Sequence, residues 1–87
     1  MKKKLLIVAY NDTTNSKISI MLEAQPGSRK ILEATWLVST TDTPKEFYLK
    51  IEPYLDKDNQ RVFIAEITDQ RQGWISRTSW DWIKENQ

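Results

Sequence analysis

Leu5-Leu6-Ile7-Val8-Ala9 is an unbroken aliphatic run, set between Lys4 and the turn-forming Asn11-Asp12-Thr13-Thr14. An apolar run this short, with turn residues behind it, reads as a central β-strand covered on both faces. Lys2-Lys3-Lys4 in front gives it a passing likeness to a signal peptide. The run is too short for a signal core, however, and no small-residue cleavage site follows. It also falls well below the roughly 20 apolar residues that a membrane-spanning helix needs. The expectation is a cytoplasmic protein with no membrane partner.

A buried strand needs neighbours, and the rest of the chain offers them in sequence. Asn15 or Ser16 can cap a helix whose apolar stripe is Ile18, Met21 and Leu22, and Gln25-Pro26-Gly27-Ser28 stops it. Residues 29–40 alternate and are rich in β-formers (Ile31, Thr35, Trp36, Leu37, Val38). They fit one long strand or a tight hairpin breaking near Glu33-Ala34. Thr43-Pro44-Lys45-Glu46 is the clearest local signal, a capping box with proline at the first helical position. Phe47, Ile51 and Leu55 follow at helical spacing, and Pro53 either ends that helix or bends it. Asp56-Lys57-Asp58-Asn59 is a polar turn before a second strong strand over residues 61–68. A polar loop then leads through Gly73-Trp74-Ile75 to Thr78 or Ser79, either of which can cap a short closing helix carrying Trp80, Trp82 and Ile83.

One strand before each helix, with a hairpin between, is the split-βαβ arrangement. The fold class expected is α+β: a ferredoxin-like βαββαβ sandwich with a short extra C-terminal helix, spanning residues 1–87 as one domain. Two helices would cover one sheet face and leave the other open, and an open face in so small a protein suits dimerisation or ligand contact.

Composition narrows the chemistry. At 87 residues there is room for one core. Four Trp, three Tyr and two Phe give that core a heavy aromatic load. The chain has no cysteine, which excludes disulfides, thiol nucleophiles and zinc–thiolate sites, and no histidine, which removes the usual general base near neutral pH. Lys+Arg 13 against Asp+Glu 12 leaves a formal charge of +1, so nucleic-acid affinity would have to come from a local patch.

Ala34-Thr35-Trp36-Leu37-Val38, Pro53-Tyr54-Leu55-Asp56, Phe63-Ile64-Ala65-Glu66-Ile67-Thr68, Gly73-Trp74 and Ser79-Trp80-Asp81-Trp82-Ile83 occur in order. Together the set resembles the small SinR-like proteins related to CRISPR-associated protein two, over residues 5–10 and 31–84. The resemblance implies a ferredoxin-like fold, a homodimer, and membership of a family assigned metal-dependent endonuclease activity, many of whose members look structural. It also implies an acid directly after the Tyr that ends the first strand, where two symmetry-related carboxylates can hold a divalent cation. Here Asn11 stands in that place and Asp12 lies one residue later. The first helix is also short, with Pro26-Gly27 where the family carries an aromatic-rich segment.

Asp12 is therefore the candidate catalytic residue and ligand for Mg²⁺ or Mn²⁺, a hard cation able to activate water without histidine. The competing reading is a plain turn leading to a helix cap. Lys2, Lys3, Lys4, Lys17, Arg29 and Lys30 are candidate phosphate contacts, with Asn11 beside them and Tyr10 or Trp36 as stacking platforms. Their competing role is to keep a strand edge solvated. Trp80 and Trp82 diverge by about 200° on a helix, so they cannot both face the sheet. Core packing is the leading reading for Trp80, Ile83 and Trp74. Trp82 is the stronger interface candidate, with Trp74 as a second.

These features support three functional readings. The first is a dimeric relative of the endonuclease family that acts as a nucleic-acid-associated or protein-interaction module. The second is an active metal-dependent endonuclease using Asp12 from two subunits. The third is a small phage or mobile-element inhibitor or adaptor that binds a protein partner.

Overall fold

The aliphatic run becomes the centre of a four-stranded sheet in the computed structural model, which describes residues 3–11, 17–68 and 72–86. Strand β1 (Lys4–Tyr10) is followed by helix α1 (Lys17–Ala24), strands β2 (Ser28–Leu32) and β3 (Thr35–Thr40), helix α2 (Pro44–Ile51), strand β4 (Val62–Ile67) and helix α3 (Arg77–Asn86). The sheet order is β2-β3-β1-β4, and every neighbouring pair is antiparallel. The protein is thus a small α+β structure. No helix among the described residues is long and apolar enough to cross a membrane.

Because side chains alternate across a strand, β1 sends its aliphatic residues both ways. Leu6, Val8 and Tyr10 join Trp36 and Val38 of β3 beneath α1 and α2. Ile18 and Leu22 of α1 and Phe47 and Ile51 of α2 complete this main core, each fully buried. Leu5 and Ile7 point the other way, towards Leu37, Ile67 and the closing helix, where Ile83, Trp80 and Trp82 meet them. The sheet face expected to lie open therefore carries α3, and the correction follows from the run itself. A strand aliphatic on both sides needs two covers, and α1 with α2 supplies only one.

Local chemistry sets the element boundaries. The capping box forms as expected: Glu46 N–H donates to the Thr43 hydroxyl at 3.2 Å, and Thr43 N–H donates to Glu46 Oε1 at 2.9 Å. Pro53 ends α2, which closes in a 3-10 turn over Glu52–Tyr54. Gly27 has φ 78°, and a Cβ there would lie 2.8 Å from the Ser39 carbonyl, so this turn needs glycine. Residues 29–40 resolve as the hairpin, with a register shift between Lys30 and Leu32. Ala34 in its turn sits at φ 51°. At α3 the cap falls earlier than expected. Ser76 precedes the helix, and its hydroxyl accepts from Ser79 N–H at 3.3 Å.

Candidate nucleic-acid interface

The site of interest lies where β1 runs out and the loop entering β4 passes beside it. Asn11 joins the two. Its Nδ2 donates to the Asn59 carbonyl at 2.7 Å, and its Oδ1 accepts from Arg61 N–H. Its own backbone N–H donates to the Arg61 carbonyl at 3.3 Å, and its carbonyl accepts from Gln60 Nε2 at 3.3 Å. The side chain therefore gives one hydrogen bond and takes another, which an amide does and a carboxylate cannot. That explains asparagine at this position in terms of structure. Gln60, 2% exposed, extends the junction by accepting from Asp56 N–H at 3.2 Å.

Two shallow clefts flank Leu55 and Gln60 at this end of the molecule. One, of about 240 Å³, is lined by Tyr48, Lys57, Arg61 and Val62. The other, of about 310 Å³, is lined by Lys17, Pro53, Tyr54 and Asp56. Small-molecule pockets begin at roughly 300 Å³, so the first cleft falls below that range and the second lies at its lower limit. Lys57 Nζ lies 2.7 Å from Glu52 Oε2, and that hydrogen bond raises the lysine pKa and keeps it cationic. Arg61 Nη1 donates to the carbonyls of Lys57 and Gln60, which fixes the guanidinium. Its Nη2 and Nε have no partner among the described residues. Asp56 is held below the ordinary carboxylate range, chiefly by the Asn59 side-chain amide and then by the backbone N–H groups of Asp58 and Asn59.

The residues expected to touch phosphate do not gather into one patch. Lys3 and Lys4 stand at the start of β1, and Lys17 lies beyond its far end. Six residue steps from Lys4 to Tyr10 at about 3.3 Å each separate the two ends by roughly 20 Å. Lys4 lies in the field of Glu46, whose carboxyl it helps to hold low. Lys30 is paired with Glu33 at 3.8 Å. Arg29 crosses to the opposite sheet face, where Nε donates to Ser79 Oγ at 3.1 Å and Nη2 to Thr78 Oγ1 at 3.0 Å, fastening the start of α3.

Tyr10 and Trp36 are core residues, 9% and 8% exposed. Trp36 Nε1 donates to the Tyr10 hydroxyl at 3.1 Å, and that hydroxyl also bonds Ser19 Oγ at 2.7 Å. Neither ring offers a face for stacking. Trp82 packs with Trp80 against the smaller core, while Trp74 is 99% exposed and so is not a core residue. Asp12 lies outside the described residues, as do Lys2, Asn15 and Ser16. Among the described residues no group of three or more acids could hold a metal ion.

Sequence reasoning passed over Tyr48, Lys57 and Arg61 as site residues. Their signal was weak: Lys57 sits in what reads as a polar turn, and Tyr48 lies between the buried positions of α2. Only the fold brings them together around one cleft. No protein-family model, curated protein or solved structure matches the chain.

Proposed function

We propose that this chain is a nucleic-acid-associated binding module of ferredoxin-like topology that works by contact rather than by cleaving phosphodiesters. The topology rests on the sheet order β2-β3-β1-β4, with β1 and β3 central and one helix between β1 and β2 and another between β3 and β4. The observation that carries the function is Asn11. At the position where the resembling nucleases carry an acid, both polar atoms of its side chain are committed to the β4 entry loop. Beside that junction lie Lys17, Lys57 and Arg61 with two tyrosines, the residue types that hold phosphate and stack on bases.

A homodimer remains part of this reading, although α3 occupies the face it was expected to use. The edge strand β4 carries Phe63, which is 68% exposed, as one accessible surface for it. The test is fluorescence anisotropy with labelled single-stranded RNA, single-stranded DNA and duplex DNA, from low to moderate salt. Saturable, salt-weakened binding of at least one of them is expected. Absence of binding at the lowest salt with folded protein overturns the reading.

A further inference from the structure

We infer that the two clefts either side of Leu55 and Gln60 form one recognition site for a single-stranded step of nucleic acid. This inference rests on the binding reading above and names the site within it. Each cleft holds one tyrosine, Tyr48 in the first and Tyr54 in the second; the first also holds Lys57 and Arg61, and the second holds Lys17 with Asp56. The clefts share Leu55 and the buried Gln60 as lining residues, which makes them neighbours around one part of the chain.

Tyr54 is 44% exposed, which leaves part of its ring available to a base. Arg61 is oriented by two backbone carbonyls through one nitrogen, and its other two nitrogens are unpartnered among the described residues. A guanidinium fixed in this way suits a phosphodiester oxygen, since little of its freedom remains to be lost on binding. Lys57, 2.7 Å from Glu52 and partly compensated by it, adds a second cation to the same cleft, and Lys17 marks the other end of the site. Both clefts are small, and a flat aromatic ring stacks on a base without regard to its identity.

The ligand is single-stranded because a paired base presents its edges, not its faces. Three cations set a ceiling on the electrostatic part. For single strands, log K falls with log salt by roughly 0.7 per phosphate neutralised, so the slope stays at or below about 2. Partial neutralisation of Lys57 by Glu52 draws it lower still.

The experiment uses the full chain and a fluorescent octanucleotide, as single strand and as duplex. The variants are Tyr54→Ala, Tyr54→Phe and Arg61→Gln, each checked by circular dichroism and thermal melting. Tyr54→Ala weakens single-strand binding about tenfold, a stacked base being worth roughly 1–3 kcal/mol. Tyr54→Phe, which keeps the ring, retains wild-type affinity. Arg61→Gln lowers both the affinity and the salt slope, the slope by about 0.7. If the wild type binds the strand and both Tyr54→Ala and Arg61→Gln leave affinity unchanged, nucleic-acid binding stands but this site is wrong. Duplex bound as tightly as single strand likewise overturns the site. If the wild type binds neither form, the broader binding reading falls with it.

Discussion

The two faces of the sheet are covered in different ways. Beneath α1 and α2 lie nine buried residues from four elements, and the four contributed by the helices are fully enclosed. Beneath α3 the buried hydrophobic residues, among those described, are only Leu5, Leu37 and Ile83, while Ile7, Ile31, Ile67, Ile75 and two tryptophans pack around them partly exposed. Polar contacts finish what apolar area leaves undone there: Arg29 reaches the start of α3, and Ser39 Oγ donates to the Asn86 carbonyl at its end at 3.5 Å. The first face is a core in the ordinary sense. The second is a thin cover on a strand that cannot stay bare. Stability concentrates on the first face, and the second is where the structure opens at lower cost.

The strongest way to break this comparison is to remove one buried side chain from each face. Phe47→Ala should cost about 3–5 kcal/mol and lower the melting temperature of the whole domain. Ile83→Ala should cost about 2 kcal/mol, near the lower end for such truncations, because its surroundings are partly open and can relax. Its signature should be local: a red shift in tryptophan emission as Trp80 and Trp82 lose their packing, with the sheet intact. Equal losses at the two positions, measured by urea unfolding, would mean that α3 is as firmly held as α2.

The junction at Asn11 comes next in size. Asn11→Asp removes the donor to the Asn59 carbonyl and sets a carboxylate against that oxygen. Thermal melts should show a loss of about 1–3 kcal/mol, and added Mn²⁺ should not restore it. Recovery on adding Mn²⁺ would mean that an acid at this position meets a metal after all.

The cap of α2 sharpens the account of the firmer face. Thr43→Ala should cost about 1 kcal/mol. It should also change the acid limb of stability. The Glu46 carboxyl is held below its ordinary value of 4.5, first by the Thr43 backbone N–H and then by its hydroxyl. A group lowered in the folded state contributes stability above its unfolded pKa and loses it as pH falls through the folded pKa. The wild type should therefore weaken below about pH 4.5, and the variant should lose less over that range because the hydroxyl contribution is already absent. Parallel acid titrations of the two proteins would contradict this.

The smallest expected effect is a gain. Ala34 occupies a left-handed conformation that costs a non-glycine residue about 1–2 kcal/mol, partly offset by glycine's greater chain entropy. Ala34→Gly should stabilise the hairpin by several tenths of a kcal/mol, seen as a higher urea midpoint. A lower midpoint would show that the turn is not strained.

Much of the fold was legible because local signals agreed with one another. Thr43, Pro44 and Glu46 announce a helix start on their own, and the alternation from Ile31 to Val38 marks strand residues, although one long strand and a hairpin breaking at Glu33-Ala34 fit it equally until the pairing of β2 with β3 is seen. The second cover was not read from α3, whose tryptophans diverge too far to suggest a single apolar face. Yet Leu5 and Ile7 already required something there, since both would otherwise face water. The site was less legible still. Tyr10 and Trp36 look like stacking residues, and only the packing of both rings beneath the helices, with the hydrogen bond between them, shows that they belong to the core. Lysines close in sequence to strand β1 end up at its opposite ends, because an extended chain separates neighbours quickly. Tyr48 joins Lys57 and Arg61 around one cleft only through long-range packing, which no spacing in the sequence encodes.

The most direct test of contact over cleavage is to incubate the wild type and Asp12→Ala with RNA and with duplex DNA, each in Mg²⁺ and in Mn²⁺. The account predicts that both substrates remain intact with both proteins while single strands are bound. Cleavage by the wild type that disappears in Asp12→Ala would contradict it, and would return the acid after β1 to the centre of the molecule's function.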